Sequence, residues 1–302
     1  MGFKFIREKN KVVTAGAVGC CLLMVAFPEL TERASKEAIS LWLNAVVPCL
    51  MPFFVAAGFL RQSGIAAKLP SRVYPLAMAV LSGYPMGARI AGDGYREGRL
   101  DRKQLENVLS YSMVTGPAFI IGSVGVGFLG SHQLGVILAV SHYAAALLNS
   151  LFYRDEGSKG VCQGIQTYRT DRYYDILTDA ILDSFRSVGL ILAYIMIFMI
   201  AGDLLQFSGV LSLLPEPEMA AMAKGFMEMT VGAGSLAMCQ CGTASKAAMI
   251  SFIISFGGLS VLGQSMSMLG GCDISFGRLF LMKLSHGLIS GILTFSLCCF
   301  VL

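Results

Sequence analysis

Residues 81–89 read LSGYPMGAR and place Gly83, Pro85 and Gly87 inside an otherwise apolar run. Glycine weakens a helix and proline interrupts its hydrogen-bond ladder, so a membrane helix is not expected to continue through this stretch. At bilayer depth, non-helical backbone is tolerated only where protein covers it or water reaches it. The stretch is therefore either a short loop in water or the tip of a functional element inside the membrane.

The overall composition indicates a membrane protein. Of the 302 residues, 55% are hydrophobic and 14% are charged, whereas a soluble domain has roughly 25% charged residues. The basic residues flank the apolar segments, a pattern that orients membrane proteins and does not predict nucleic-acid binding. We expect a multi-pass protein of the cell membrane whose partners are the lipid bilayer and a small polar solute, with a homo-oligomer left open.

The sequence contains no constellation typical of an enzyme or a metal site. Its nine cysteines include no CxxC pair, and it has only three histidines, so packing is the preferred role for the cysteines. GSVGVG (122–127) lacks the GK[ST] of a phosphate-binding loop. We expect no enzymatic activity, no cofactor and no metal.

Charge and hydropathy divide the chain into four parts. An apolar run follows the basic N-terminus and predicts a retained helix, after which ELTERASKE (29–37) is interpreted as a short mixed-charge turn. We predict an N-terminal helix and turn at 1–36, a first repeat at 37–153, a cytoplasmic loop at 154–173 and a second repeat at 174–302. In the first repeat, Asp101 is expected to cap a helix that breaks at TGPAF (115–119).

Three pairs of segments indicate that the two repeats arose by duplication. PFFVAAGFLRQSG (52–64) aligns with IFMIAGDLLQFSG (197–209), with five identities in thirteen. SYSMVTGPAFIIG (110–122) aligns with SFIISFGGLSVLG (251–263), and SHYAAALLNSLF (141–152) aligns with SHGLISGILTFS (285–296). Because the order is kept at offsets of 141–145 residues, we infer an internal repeat.

The distribution of Lys and Arg favours a first hairpin that enters the membrane and returns without crossing it. With a cytoplasmic N-terminus, such a hairpin leaves the basic stretches at 61–72, 96–103 and 154–172 on the cytoplasmic side, as the positive-inside rule requires. A hairpin that crossed would place the first two stretches on opposite faces. The second repeat then starts on the opposite side from the first, so the repeats are inverted.

We therefore predict an all-α polytopic membrane protein with an N-terminal helix and two inverted repeats, each containing a re-entrant hairpin and a broken transmembrane helix. Inverted repeats with paired broken helices are typical of secondary transporters, whose sites lie near the bilayer midplane. In this interpretation LSGYPMGAR is a hairpin tip that exposes backbone groups to a ligand cavity.

SGYPMGAR (82–89), followed by TGPAFIIGSVGVGFLG (115–130), resembles the YlbJ-like group of sporulation integral membrane proteins. That group lies in the nucleoside-recognition (Gate domain) superfamily, and the resemblance covers the chain from about Leu41 to its end. It implies a membrane protein needed for spore formation. Toward nucleoside transporters the resemblance is architectural, through hairpins and broken helices, without a shared substrate-binding signature.

Candidate residues for binding a solute or an ion come from the two predicted hairpin tips and the two predicted helix breaks. The first repeat supplies Ser82, Gly83, Tyr84, Gly87, Ser112, Thr115 and Gly116. The second repeat supplies Glu228, Thr230, Ser235, Gln240, Ser255, Gly257 and Gln264. Carbonyl groups freed at a helix break can coordinate a cation such as Na⁺, and Na⁺ or H⁺ is the expected coupling ion if transport is coupled.

Four of the ionisable residues within or beside the apolar segments are candidates for a function, and each also has an alternative role. A carboxylate at membrane depth normally faces a cavity or a cation, although Glu228 can also lie at the outer interface. His142 and His286 occupy matching places in the repeats and are candidates for a proton relay, or are neutral and hydrogen-bonded between helices. Arg89 either pairs with an anionic substrate or with Glu228, or extends to the inner interface.

The function that these patterns predict is a secondary transporter or permease for a small polar solute, with coupling to an ion left open. The competing class is a scaffold or receptor in a spore-envelope complex that transports nothing. Paired broken helices favour transport, because a scaffold does not need non-helical backbone at the midplane.

Overall fold

The computed structural model describes residues 18–63, 73–154 and 172–301, together with Thr14 and Gly16. Every long regular element within these ranges is a helix. The basic N-terminal segment, most of the basic stretch predicted at 61–72 and nearly all of the cytoplasmic loop predicted at 154–173 lie outside the described residues.

Helical residues 18–26 precede thirteen helices that we number in chain order. The first seven are α1 (Pro28–Leu41), α2 (Val47–Gln62), α3 (Tyr74–Ser82), α4 (Met86–Arg96), α5 (Arg102–Ser112), α6 (Ala118–Phe128) and α7 (His132–Ser150). The others are α8 (Tyr173–Phe207), α9 (Pro217–Met227), α10 (Met229–Met238), α11 (Thr243–Phe256), α12 (Gly258–Met268) and α13 (Phe276–Val301). Helix α6 is wound as a π-helix, and a π-helical turn at Trp42–Val46 joins α1 to α2.

The segment ELTERASKE is helical, so the prediction of a turn there is wrong. Helix α1 starts at Pro28, a position that suits proline because the first helical N–H has no partner within the helix. Glu, Arg, Ala and Lys are strong helix formers, and the ion pair between Lys36 and Glu32 (2.6 Å) has the spacing that supports a helix. Ala34 and Ala38 are fully buried where α1 packs against α8.

Four helices of the described residues are long and apolar enough to cross a membrane: His132–Tyr153, Tyr173–Phe207, Thr243–Met268 and Phe276–Val301. A bilayer core requires about 20 apolar residues in a helix. Together with the apolar composition, these helices identify the chain as a polytopic helical membrane protein.

Two short hairpins and two helix breaks recur in the same order along the chain. Helices α3 and α4 meet at residues 83–85, and α9 and α10 meet at Glu228. Helix α5 is separated from α6 by residues 113–117, whereas α11 and α12 meet at Gly257. A long helical run, 28–62 or α8, precedes each set, and α7 or α13 follows it. Asp101 caps α5 as predicted, accepting the Gln104 N–H at 2.9 Å.

The two helix breaks lie between two apolar clusters. One cluster joins α4, α5, α12 and α13 through residues such as Leu105, Leu109 and Met282. The other joins α6, α7, α10 and α11 through residues such as Leu138 and Leu236. The non-helical backbone is therefore covered by protein on both sides, which is the condition for such backbone inside a membrane.

Candidate functional site

The tip of the first hairpin lies against the first helix break. Gly83 ends α3 with φ of 67°, a conformation that side chains with a Cβ rarely adopt, and the Tyr84–Pro85 peptide bond is cis. A Cβ added to Gly83 would lie 3.0 Å from the backbone nitrogen of Gly116. Only glycine allows the two backbones this approach.

Backbone groups freed at the first break are bonded to side chains of other helices. The Thr115 N–H donates to Nε2 of His142 at 2.9 Å, and the Tyr143 hydroxyl donates to the Thr115 carbonyl at 2.8 Å. The Thr115 hydroxyl donates to the Ile254 carbonyl at 3.0 Å, near the end of α11. The first two bonds join the break to α7, and the bond to Ile254 joins it to the second half of the chain.

His142 and His286 are buried and in contact, with ring centroids 4.8 Å apart. Because Nε2 of His142 accepts a backbone N–H, its proton lies on Nδ1, which faces the Ser255 hydroxyl at 2.6 Å. Nε2 of His286 faces the His142 carbonyl at 3.0 Å and must carry the proton there. These partners suit neutral rings, the alternative to the proton relay that the sequence left open.

Lys283 lies at the centre of this arrangement, although the sequence analysis did not single it out. Its ammonium nitrogen is 2.5 Å from the Tyr84 hydroxyl, 2.7 Å from the Met113 carbonyl and 3.0 Å from Nδ1 of His286. Lys283 is 1% exposed. A lysine inside an apolar helix, FLMKLSHG (280–287), is rare enough to have signalled a functional position.

Glu228 forms the tip of the second hairpin and is 3% exposed. Its carboxylate accepts the Val231 N–H at 2.8 Å and the Thr230 hydroxyl at 3.3 Å, so it caps α10. A carboxylate is well placed there because the N-terminal end of a helix carries partial positive charge. This burial means that Glu228 does not lie on the aqueous or lipid-facing surface of the described residues.

Both hairpin tips line one small central cavity of about 30 Å³. The polar residues and glycines that surround it are Gly83, Tyr84, Thr115, Gly116, Glu228, Thr230 and Gln264. A cavity of this size has room for water-sized groups. Seven of the predicted site residues therefore converge at one place, four from the first half of the chain and three from the second.

Two further cavities adjoin the central cavity. The vestibule, of about 680 Å³, shares Thr230 with it and is lined by polar residues that include Asn44, Ser123, Asp203 and Ser235. The Arg89 cavity, of about 30 Å³, shares Tyr84 with the central cavity and is lined by Ser82, Arg89 and Asp183 among others. We call these three cavities, which share the lining residues Thr230 and Tyr84, the cavity series.

Other predicted residues lie outside the central cavity. The Ser112 hydroxyl donates to the Val108 carbonyl at 2.7 Å, within its own helix, and Gly87 packs against the Ser112 carbonyl. Ser255 bonds to His142, Gly257 provides the left-handed turn between α11 and α12, and Gln240 is exposed beyond α10. Ser82 and Ser235 line the flanking cavities instead.

Among the described residues, no group of three or more His, Cys, Asp or Glu side chains is placed to hold a metal ion.

The fold and the cavity series define a polytopic helical membrane protein with a polar site between two sets of hairpins and broken helices. The chain is 27% identical over 317 aligned residues to the sporulation integral membrane protein YlbJ of Bacillus subtilis (strain 168), covering 89% of this chain and 78% of that protein. No protein-family model and no solved structure matches the chain. The similarity supports the YlbJ-like resemblance, whereas the assignment to the Gate superfamily stays a prediction.

Proposed function

We propose that the chain is a permease for a small polar solute and that it acts in spore formation. The observation that carries the proposal is the central cavity, which both hairpin tips and the first helix break line together. A scaffold has no need for polar backbone and a buried carboxylate around an internal cavity, because each unpaired group there costs several kcal/mol.

The cavity series supports a path for a solute. The vestibule has the volume of a typical small-molecule site, which is about 300–1,000 Å³. The central cavity and the Arg89 cavity are much smaller, about 30 Å³ each. Transport then requires a conformational change in which the central cavity widens and Tyr84 moves away from the Arg89 cavity.

Helix lengths support the re-entrant arrangement. The four hairpin helices have 9, 11, 11 and 10 residues, about half of what a bilayer core requires. In the proposed topology, the first hairpin enters from the cytoplasmic side and the second from the opposite side. The vestibule beside Asp203 then opens outward, and the Arg89 cavity opens toward the cytoplasm.

A role in spore formation comes from the similarity to a sporulation integral membrane protein. The two glycine-containing motifs by which the resemblance was recognised contain Gly83 and Gly116, which form the tip and the break that meet at the cavity. The proposal therefore assigns the shared motifs to the transport site, with Na⁺ or H⁺ as the coupling ion if coupling occurs.

A comparison of polar metabolites in sporulating cells tests the proposal. Cells that carry the wild-type chain, no chain, or Gly83→Val are compared, with Gly189→Val as a matched control at an exposed glycine of α8, where an added Cβ meets nothing within 4 Å. We expect the cellular level of one small polar solute to change in the same direction in the strain without the chain and in the Gly83→Val strain. Its level should stay normal in the control. Unchanged metabolites together with stable co-purification of a partner protein would favour the scaffold.

A further inference from the structure

We propose that Lys283 is a tethered cation that fills a cation site built by the first helix break, and that a primary alkylammonium ion takes this site when the side chain is truncated. The inference extends the proposed function, since it means that the permease needs no Na⁺ bound at this break. The site can be tested without measuring transport.

The surroundings of Lys283 are those of a recognised ammonium ion. Three acceptors surround its nitrogen: the Tyr84 oxygen, the Met113 carbonyl and Nδ1 of His286, at 2.5, 2.7 and 3.0 Å. The nitrogen also lies 4.8 Å from the centroid of the Tyr84 ring, within cation–π range. Each of the three ammonium N–H groups therefore has its own acceptor.

The hydrogen-bond partners favour one positive charge on the pair of Lys283 and His286. Nε2 of His286 must donate to the His142 carbonyl, so a neutral ring leaves Nδ1 as an acceptor. Because the Tyr84 hydroxyl donates to the Ser255 carbonyl, a neutral amine would point its lone pair at one of the three acceptors. Lysine is far more basic than imidazole, and we therefore assign the proton to Nζ of Lys283.

The charge is balanced by helix ends rather than by an acid. Among the described residues, no carboxylate forms an ion pair with Lys283. Met113 lies at the C-terminal end of α5, and the Tyr84 hydroxyl, which accepts from Lys283, donates to the Ser255 carbonyl near the end of α11 at 3.3 Å. Two partially negative helix ends thus converge on the ammonium group.

The chemistry of the acceptors explains why the site suits an ammonium ion better than Na⁺. One of the three acceptors is an imidazole nitrogen, which accepts an N–H well, whereas hard metal cations prefer oxygen ligands. The carbonyl of Met113, which a broken helix makes available for Na⁺, is already occupied by Lys283. The hydroxyl groups of Ser112 and Thr115, the candidates beside this break, also have partners, since they donate to the Val108 and Ile254 carbonyls.

Thermal unfolding of the purified full-length chain in nanodiscs tests the proposal. We expect Lys283→Ala to lower the unfolding midpoint by roughly 5 °C or more, because three buried acceptors lose their donor. Methylammonium to butylammonium chloride should restore at least half of this loss, by mass action on the folded state. Tetramethylammonium, which has no N–H, and Na⁺ at the same ionic strength should restore nothing.

Two controls separate the site from a general salt effect. Lys36→Ala removes an exposed lysine (side chain 73% exposed) and should show no response to alkylammonium. Lys283→Met keeps the apolar stem in place, so it should lose stability without regaining it in alkylammonium. The wild-type midpoint should be unchanged when Na⁺ replaces N-methylglucamine.

The proposal is overturned if folded Lys283→Ala ignores every alkylammonium ion, or if Na⁺ specifically stabilises the wild-type chain. If Lys283→Ala does not fold, the test rests on the wild-type midpoints in Na⁺ and N-methylglucamine and on Lys283→Met. A Lys283→Met chain that is as stable as the wild type contradicts the proposal. None of these outcomes depends on whether the chain transports a solute.

Discussion

Nε2 of His286 lies 3.0 Å from the carbonyl oxygen of His142, and the two rings are 4.8 Å apart. The two histidines come from helices α7 and α13, which occupy matching places after the two helix breaks. Nε2 of His142 in turn accepts the Thr115 N–H at the first break. The histidine pair therefore connects the last helices of both halves to the site, with rings whose partners suit the neutral form.

Replacing His142 by Phe should destabilise the chain. The substitution keeps an aromatic ring but leaves the Thr115 N–H and the Ser255 hydroxyl without their partner in a buried place, at a cost of about 1–3 kcal/mol for each group. Thermal unfolding in detergent measures the loss. His132→Phe, at the exposed start of α7, is the matched control and should stay near the wild-type midpoint. Equal midpoints for the two variants would refute the assigned hydrogen bonds.

Replacing Glu228 by Gln should separate the effect of the carboxylate charge on transport from the effect of the helix cap on stability. Glutamine can still accept the Val231 N–H, so the unfolding midpoint should change little, whereas Glu228→Ala should lose about 1 kcal/mol as other lost caps do. In the proposed permease, the lost charge should lower solute flux by about tenfold or more, which corresponds to about 1.4 kcal/mol. Glu216→Gln, at an exposed residue before α9, is the control. A Glu228→Gln chain with wild-type flux would exclude this carboxylate from the transport step.

The two facing glycines of the first half should differ in tolerance. At Gly83, a residue with a Cβ would have to adopt a φ of 67°, and the Cβ would lie 3.0 Å from the Gly116 backbone nitrogen. Gly83→Ala should therefore lower the free energy of unfolding by about 1–2 kcal/mol. At Gly116, the added Cβ has ordinary contacts, the nearest at 3.5 Å, so Gly116→Ala should fold normally. Unfolding midpoints of the two variants give the comparison. The opposite order of stability would mean that the tip and the break do not meet as described.

The second hairpin should depend on Gly232. A Cβ added there would overlap the Cα of Gly225, because α9 and α10 pack backbone to backbone at this point. Gly234, two residues further along α10, has only the tip of the Phe128 ring within 4.0 Å of an added Cβ. We expect Gly232→Ala to lose roughly 1–3 kcal/mol, as over-packed sites do, and Gly234→Ala to lose little. Similar midpoints for both would indicate that the hairpin is open.

Several parts of this arrangement could be predicted from the sequence because they depend on local rules. Glycine and proline mark the first tip and the first break, and the repeat offset pairs His142 with His286 before any contact is known. The helical state of α1 was missed because its charged residues were interpreted as a turn signal, although their spacing supports a helix.

Lys283 shows why the contacts between distant parts of the chain were not predicted from the sequence. Its oxygen acceptors, on Tyr84 and Met113, are 199 and 170 residues away in sequence. No periodicity links positions so far apart in different helices. The only local signal is the position of a lysine three residues before a histidine inside an apolar helix, and its meaning depends on the three-dimensional contacts.

Solute flux in proteoliposomes tests the central claim most directly. Vesicles containing the purified wild-type chain are loaded with an isotope-labelled extract of small polar metabolites, and mass spectrometry follows what leaves. Vesicles with Gly83→Val and vesicles without protein serve as references. We predict that at least one small polar solute leaves the wild-type vesicles faster than both references. Equal retention of every solute in all three preparations would contradict a permease.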